Sequence, residues 1–178
     1  MEKSFSDLLQ VHRILDGLFR EHQRALLLRE LESASALLDE YETELLSHMR
    51  DEEQHLIPIY AARAEHALGG APAIFLNEHD KLRQYVTLFK LEMPKLELAR
   101  DLESKVIWLL DSQTTFKRLL LHHDARESKM LYPSLDQATS AAERDSLFAA
   151  LELSPYSNGN RDVVWARCCD TASPRRIN

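Results

Sequence analysis

His48-Met-Arg-Asp-Glu52-Glu-Gln-His-Leu-Ile-Pro58 has a counterpart 75 residues further on, His123-Asp-Ala-Arg-Glu127-Ser-Lys-Met-Leu-Tyr-Pro133. In an α-helix, residues four apart stand one turn above each other on the same face, so each phrase aims an imidazole and a carboxylate at one point. One His-x-x-x-Glu carries little information, since a chain with this composition contains roughly one by chance. Two of them, each with the same spacing to a proline, form an internal repeat able to clamp two metal ions.

Working outward from the repeat, the flanking sequence reads as helix. Gly and Pro are few, and strong helix formers fill the long intervals between them. Residues 4 to about 32 carry the stripe Leu8, Leu15, His22, with Val11, Leu18 and Ala25 beside it. His22 therefore falls on the buried side, whereas His12 and His66 read as partly exposed. A second helix, from about 36 to 66, places Leu38, Tyr41, Leu45, His48, Glu52, His55 and Ile59 at steps of three and four and ends at Gly69-Gly70-Ala-Pro72. Pro58 lies inside it and predicts a kink or register change one turn beyond Glu52. A third helix, from about 73 to 92, shows Phe75, His79, Leu82, Val86 and Phe89 and stops near Met93-Pro94. The fourth, from about 96 to 132, shows Leu102, Leu109, Phe116, His123 and Met130. Ser140-Ala-Ala-Glu143 is a capping box that opens a short fifth helix through about Leu153.

The expected architecture is all-α: an up-down-up-down four-helix bundle over residues 1–153, with the short fifth helix closing one side and an irregular tail over 154–178 in which Val163-Val164-Trp165 could pack. A chain of 178 residues with 44 % hydrophobic content suits one domain with a sizeable core. The net charge of −7 and 7 % aromatic content argue against nucleic acid as a partner. No apolar run approaches the roughly 20 residues that span a bilayer, and the polar start Met1-Glu-Lys-Ser does not read as a secretory signal, so a cytoplasmic protein without membrane contact is expected. The two cysteines, Cys168 and Cys169, are adjacent in the tail, which excludes a disulfide framework and a thiolate-rich metal site. Eight histidines with abundant Glu supply nitrogen and oxygen donors instead, the set that suits non-haem iron, manganese or zinc.

Each helical pair supplies a lone His and then a His with a Glu: His22, then His48 and Glu52; His79, then His123 and Glu127. Such pseudo-twofold symmetry fits a dinuclear centre, with carboxylates between two ions and imidazoles at the ends. Ferritin-like bundles use Glu-x-x-His in both halves instead; Glu52-Glu-Gln-His55 has that spacing, but the second phrase has Met130 at the matching position, so ferritin-like chemistry ranks low.

Over roughly residues 8–150 the pattern resembles the hemerythrin-like, or HHE cation-binding, domain family. The residues that carry the resemblance are His22, His48, Glu52, His79, His123 and Glu127, with the Leu-x-Pro phrases that end at Pro58 and Pro133. The resemblance implies a four-helix bundle holding two non-haem irons with an oxo or hydroxo bridge, Glu52 and Glu127 bridging and the histidines terminal. Oxygen-carrying members have a further His where this chain has Arg83, and Asp where it has Glu127. The set is similar to the four-His, two-Glu members, which include repair proteins acting under nitrosative stress and iron- or oxygen-responsive regulators. The cysteine-bearing N-terminal domain of the repair proteins has no counterpart within these 178 residues, so a straightforward repair role is not the expectation.

The function expected is that of a di-iron protein that senses, binds or reacts with dioxygen, peroxide or nitric oxide, or holds iron for transfer. The alternative is a regulatory module without turnover, working as a homodimer or with a protein partner, and a metal-free helical interaction protein ranks third. No catalytic residue is named by the sequence. His55, one turn past Glu52, reads as a core histidine with one hydrogen bond, and Tyr41 as a packed core residue with a hydroxyl to spare. His122 points away from the ligands, and Glu21, Glu53 and Glu78 read as solvated surface.

Overall fold

The computed structural model describes residues 3–153. The tail from residue 154, with Cys168, Cys169 and the Val163–Trp165 segment, lies outside the described residues. A single turn of 3-10 helix at Phe5–Leu8, capped by Ser4, leads into α1 (Leu9–Leu27), which is followed by α2 (Leu31–Asp51), α3 (Ile57–Arg63), α4 (Pro72–Glu97), α5 (Leu102–Arg126), α6 (Tyr132–Ala138) and α7 (Ala141–Ala150). The long helices α1, α2, α4 and α5 pack as an up-down-up-down bundle, each against the next and α1 against α5. Helix α7 is the short fifth helix, opened by the expected Ser140–Glu143 capping box.

Helix boundaries depart from the periodicity for local reasons. Helix α1 stops at Leu27 rather than near residue 32, because Arg29 takes a left-handed conformation (φ 62°) and the chain turns. The Glu30 amide donates to the Ala25 carbonyl and that of Arg29 to the Leu26 carbonyl, the paired bonds of a Schellman motif. Helix α4 does not stop at Pro94 but continues to Glu97. The proline costs one bond in the last turn, while Met93 and Leu96 bury on either side of it. Helix α5 begins at Leu102, not 96, where the Asp101 carboxylate accepts from the Ser104 amide.

Pro58 produces the register change that the sequence predicts, and Pro133, at which the sequence reading ends the fourth helix, produces a second one of the same form. Glu52–Leu56 and Glu127–Leu131 are single π-helical turns, closed by the amides of Ile57 and Tyr132 donating five residues back to the Glu52 and Glu127 carbonyls. A proline has no amide to donate and its ring crowds the carbonyl four residues earlier, so one extra residue in the turn relieves both problems. Each repeated Glu thus starts a π turn.

The bundle interior is layered. On the side of the α1–α2 and α4–α5 turns, beyond apolar residues such as Leu26, Leu96 and Leu109, lies a polar layer of His22 and Gln113, both fully buried. Above it Phe19 packs on Tyr41 and Phe116, with ring centroids 5.0 Å apart in both pairs, and Phe89 stands edge-on to Phe116 at 5.5 Å. The next layer holds His12, His48, Glu52, His79, His123 and Glu127, all buried. Packing of α3 on α6, and a stack of Phe5 on Phe148 of α7 at 5.1 Å, close that end.

Candidate metal centre

Five of the six residues expected as ligands meet in one layer. Glu52 and Glu127 face each other from the starts of the two π turns and are fully buried. His123 Nε2 lies 2.8 Å from Glu127 Oε1, and His79 Nε2 lies 3.3 Å from Glu52 Oε2 and 3.8 Å from Glu127 Oε1. His48 Nε2 stands 3.9 Å from Glu52 Oε1.

His22 is not among them. Its Nδ1 sits 2.8 Å from the Ala34 carbonyl and its Nε2 2.9 Å from the Gln113 amide nitrogen. With Gln113 donating to Nε2, Nδ1–H donates to the carbonyl, which satisfies a neutral imidazole on both sides. Burial pushes its pKa down, in keeping with that neutral state.

The fourth histidine of the layer is His12, which the sequence reading gives as partly exposed and which is only 8 % exposed. Its Nε2 lies 2.9 Å from His48 Nε2 and 3.2 Å from Glu127 Oε2. Hairpin geometry explains the exchange. His12 lies about as far before the Leu28–Glu30 turn as His48 lies after it, whereas His22 is level with Ala34. Ten residues along a helix correspond to about 15 Å, far outside reach of the cluster.

Tyr132 also enters the layer unannounced. Fully buried, it donates to Glu52 Oε1 at 2.7 Å and approaches Glu127 Oε2 at 3.4 Å and His12 Nε2 at 3.2 Å. The π turn brings the residue five after Glu127 over the same face, where an α-helical reading puts Met130. Met130 and its counterpart His55 are only half-buried. Tyr41 is fully buried in the aromatic layer, its hydroxyl without a hydrogen-bond partner among the described residues.

Supporting charges differ around the ring of histidines. Glu53 and Glu78, read from sequence as solvated, back two of them: His79 Nδ1 is 2.8 Å from Glu53 Oε1, and His123 Nδ1 is 3.2 Å from Glu78 Oε2. Each of these carboxylates is held by an arginine, Glu53 by Arg83 at 2.6 Å and Glu78 by Arg126, which also donates to the Gly69 carbonyl. Among the described residues His12 Nδ1 has only Asp124, at 3.6 Å. Asp124 is partly exposed and, with Asp16, Phe19 and Lys117, lines a half-open cavity of about 320 Å³ between α1 and α5.

The titrations follow from these neighbours. Burial alone would depress His79 and His123, but Glu127 with Glu52 and Glu53 lifts the first to about 11, and Glu127 with Glu78 lifts the second to about 10. His48, buried beside His12, is held well below the usual histidine range. Burial next to Glu127 raises the Glu52 pKa, whereas the surrounding histidines overcome burial to hold Glu127 well below the carboxylate range. Burial raises Asp124 to about 6.

Donor atoms converge here with lone pairs to spare. Among the described residues Glu52 Oε2, His79 Nε2 and Glu127 Oε1 are buried without an aligned hydrogen-bond partner, although charged neighbours stand within ion-pair distance. Ion pairing offsets part of the cost of burying these charges, but polar atoms left without an aligned hydrogen bond remain costly in a dry interior. A cation between them removes that cost, so the residues fit a metal ion. Among the described residues two groups have donor atoms within 4.8 Å of one another: Glu52, His79, His123 and Glu127; and His12, His48 and Glu127. Glu127 belongs to both.

No described helix is long and apolar enough to cross a membrane. A search of curated proteins and one of solved structures gave no match. The family model of the hemerythrin HHE cation-binding domain matches residues 4–135, a span that includes every donor of the two groups. The chain therefore belongs to the hemerythrin HHE cation-binding domain family.

Proposed function

We propose that this chain holds two non-haem iron ions, one at each donor group, and uses them to bind or reduce a small oxidant such as dioxygen, peroxide or nitric oxide. The observation that carries the reading is Glu127, whose two oxygens face different groups: Oε1 toward His79 and His123, Oε2 toward His12. A carboxylate shared in this way holds two cations at a fixed separation. Nitrogen and oxygen donors without thiolate suit iron, and manganese or zinc would also be accepted.

When bound, paired irons supply open coordination positions and electrons for a small oxidant. The protein supplies the rest. Glu53 and Glu78 orient His79 and His123, so that both rings present Nε2 to the centre. Tyr132 holds one oxygen of Glu52. The aromatic layer of Phe19, Tyr41, Phe89 and Phe116 excludes water from below. The α1–α5 cavity gives a small molecule a way in from solvent as far as Asp124, next to His12.

A regulatory module without turnover uses the same donors. What favours it is their origin on four separate helices, because metal release then loosens the packing of the bundle as a whole. Iron content and the optical spectrum of the iron-loaded protein, before and after adding dioxygen or nitric oxide to its reduced form, decide between these readings. Two irons per chain with catalytic consumption of the gas support the reactive centre. Two irons with one response per chain support the regulator, and a chain without metal whose melting is indifferent to chelation sinks both.

A further inference from the structure

We propose that the Tyr132 phenol oxygen is a ligand of the ion held by His12, His48 and Glu127, so that the two ions sit in unlike donor sets. This rests on the dinuclear reading above and says which atoms complete its poorer half.

The first argument is the shortfall of donors. One group offers four residues, Glu52, His79, His123 and Glu127, and the other three, His12, His48 and Glu127. Tyr132 stands where a fourth belongs, with its oxygen 3.2 Å from His12 Nε2 and 3.4 Å from Glu127 Oε2. It is also 2.7 Å from Glu52 Oε1, so a single fully buried oxygen faces donors from both groups.

Position in the repeat gives a second, independent argument. His48 matches His123, Glu52 matches Glu127 and Pro58 matches Pro133, but the residue matching Tyr132 is Ile57. Packing needs only a large side chain there, as Ile57 shows by being 4 % exposed. The hydroxyl is therefore extra to the structural role, and the π turn aims it inward.

Charge points the same way. Two carboxylates alone must offset two buried cations, and the His12 end lacks the Glu–Arg backing that His79 and His123 enjoy. Ligation by Tyr132 adds one negative charge at that end. The phenol O–H bond breaks, its electron pair stays on the oxygen that binds the ion, and the proton leaves to the buffer. No electron changes hands. Hard anionic oxygen at one position biases that position toward the ferric state.

The test is the full chain loaded with iron in air, with metal content, visible absorption and resonance Raman measured on one sample. Two irons per chain with a phenolate-to-iron charge-transfer band and enhanced tyrosine ring vibrations are expected. Tyr132→Phe should lose band and vibrations, while Tyr41→Phe and Tyr60→Phe keep them. Feeding ring-deuterated tyrosine shifts the vibrations in the unmutated chain, so a variant that folds poorly does not decide the matter. Two irons without any phenolate signature, or a signature that survives Tyr132→Phe, overturns the ligand and leaves the dinuclear reading standing. A chain that takes up no iron overturns both.

Discussion

The two halves of the bundle supply the same pair of residues, His48 with Glu52 and His123 with Glu127, from the same π-turn geometry, yet they build unlike ends of the centre. In the second half His79 and His123 are each backed by a carboxylate that an arginine holds in place. In the first half His12 has a more distant, partly exposed Asp124, and His48 is kept neutral by burial beside His12. Repetition sets where the donors are. The residues that the two phrases do not share, Glu53, Asp124, Arg126 and Tyr132, together with Glu78 and Arg83 outside them, set how strongly each end would attract a cation.

The severest test of this asymmetry is to remove the two carboxylates one at a time. Glu127 belongs to both donor groups and Glu52 to one. Glu127→Gln should abolish binding of the pair, while Glu52→Gln should keep one ion at His12, His48 and Glu127. Metal content of the two purified variants checks it, and equal loss in both would mean that the halves act as equals.

Proton linkage comes next in size. In the metal-free chain His79 and His123, raised to about 11 and about 10, are both charged at neutral pH. Their contribution to stability is complete below the unfolded value near 6.5 and is lost as pH rises through about 10 and then about 11. Glu127, depressed by its histidines, contributes above the ordinary carboxylate range and loses that contribution as pH falls through its folded pKa. A metal ion bound by His79 and His123 must displace both protons. Affinity at that end should therefore rise about a hundredfold per pH unit between roughly pH 7 and 9. Calorimetric titration in buffers of different ionisation enthalpy counts the released protons. At the His12–His48 end His48, already neutral, gives up no proton, so the protons released there come from His12 and, where it ligates, from the Tyr132 phenol.

Removing the backing carboxylates should reduce the difference between the ends. Glu53→Gln or Glu78→Gln should weaken one ion by about 10- to 100-fold. Asp124→Asn, acting over 3.6 Å on a partly exposed group, should do less, and competition with a calibrated chelator measures all three.

Much of this was legible in the sequence, and the failures have common causes. Apolar periodicity located the four long helices, and the two proline-terminated phrases located four residues of the buried His–Glu cluster. His22 was chosen over His12 because a helical stripe says which side of a helix is buried but nothing about height along the bundle. Reflecting His48 through the turn near residue 29 finds His12, and the same reflection through the α4–α5 turn pairs His79 with His123. Tyr132 was missed for another reason: spacing arguments assume 3.6 residues per turn, and the π turn before Pro133 breaks that count. Glu53 and Glu78 were discounted because a carboxylate beside a ligand on one helix can reach the ring of another, a relation that no single helix displays.

If height decides function, His22 should matter to the fold alone. His22→Ala leaves the Gln113 amide and the Ala34 carbonyl without their partner, a loss of about 1–3 kcal/mol. Metal content should stay as in the parent chain, while the urea midpoint of chelated protein falls. A variant that loses one ion would restore His22 to the centre and break the account of the first hairpin.

The two hairpin turns offer the mildest test. The second reaches α5 through a side-chain cap at Asp101, and the first through Arg29 in a left-handed conformation that costs a side-chain-bearing residue about 1–2 kcal/mol. Glycine adopts it without that cost but gives up part of the gain as greater freedom in the unfolded chain. The exposed ion pair of Arg29 with Glu103 is worth little against either. Arg29→Gly should thus stabilise the chelated protein by roughly 0.5–1 kcal/mol, read from the urea midpoint, with metal affinity unchanged. A drop in affinity despite higher stability would mean that the strained turn does more than reverse the chain, and that it sets the level at which His12 meets His48.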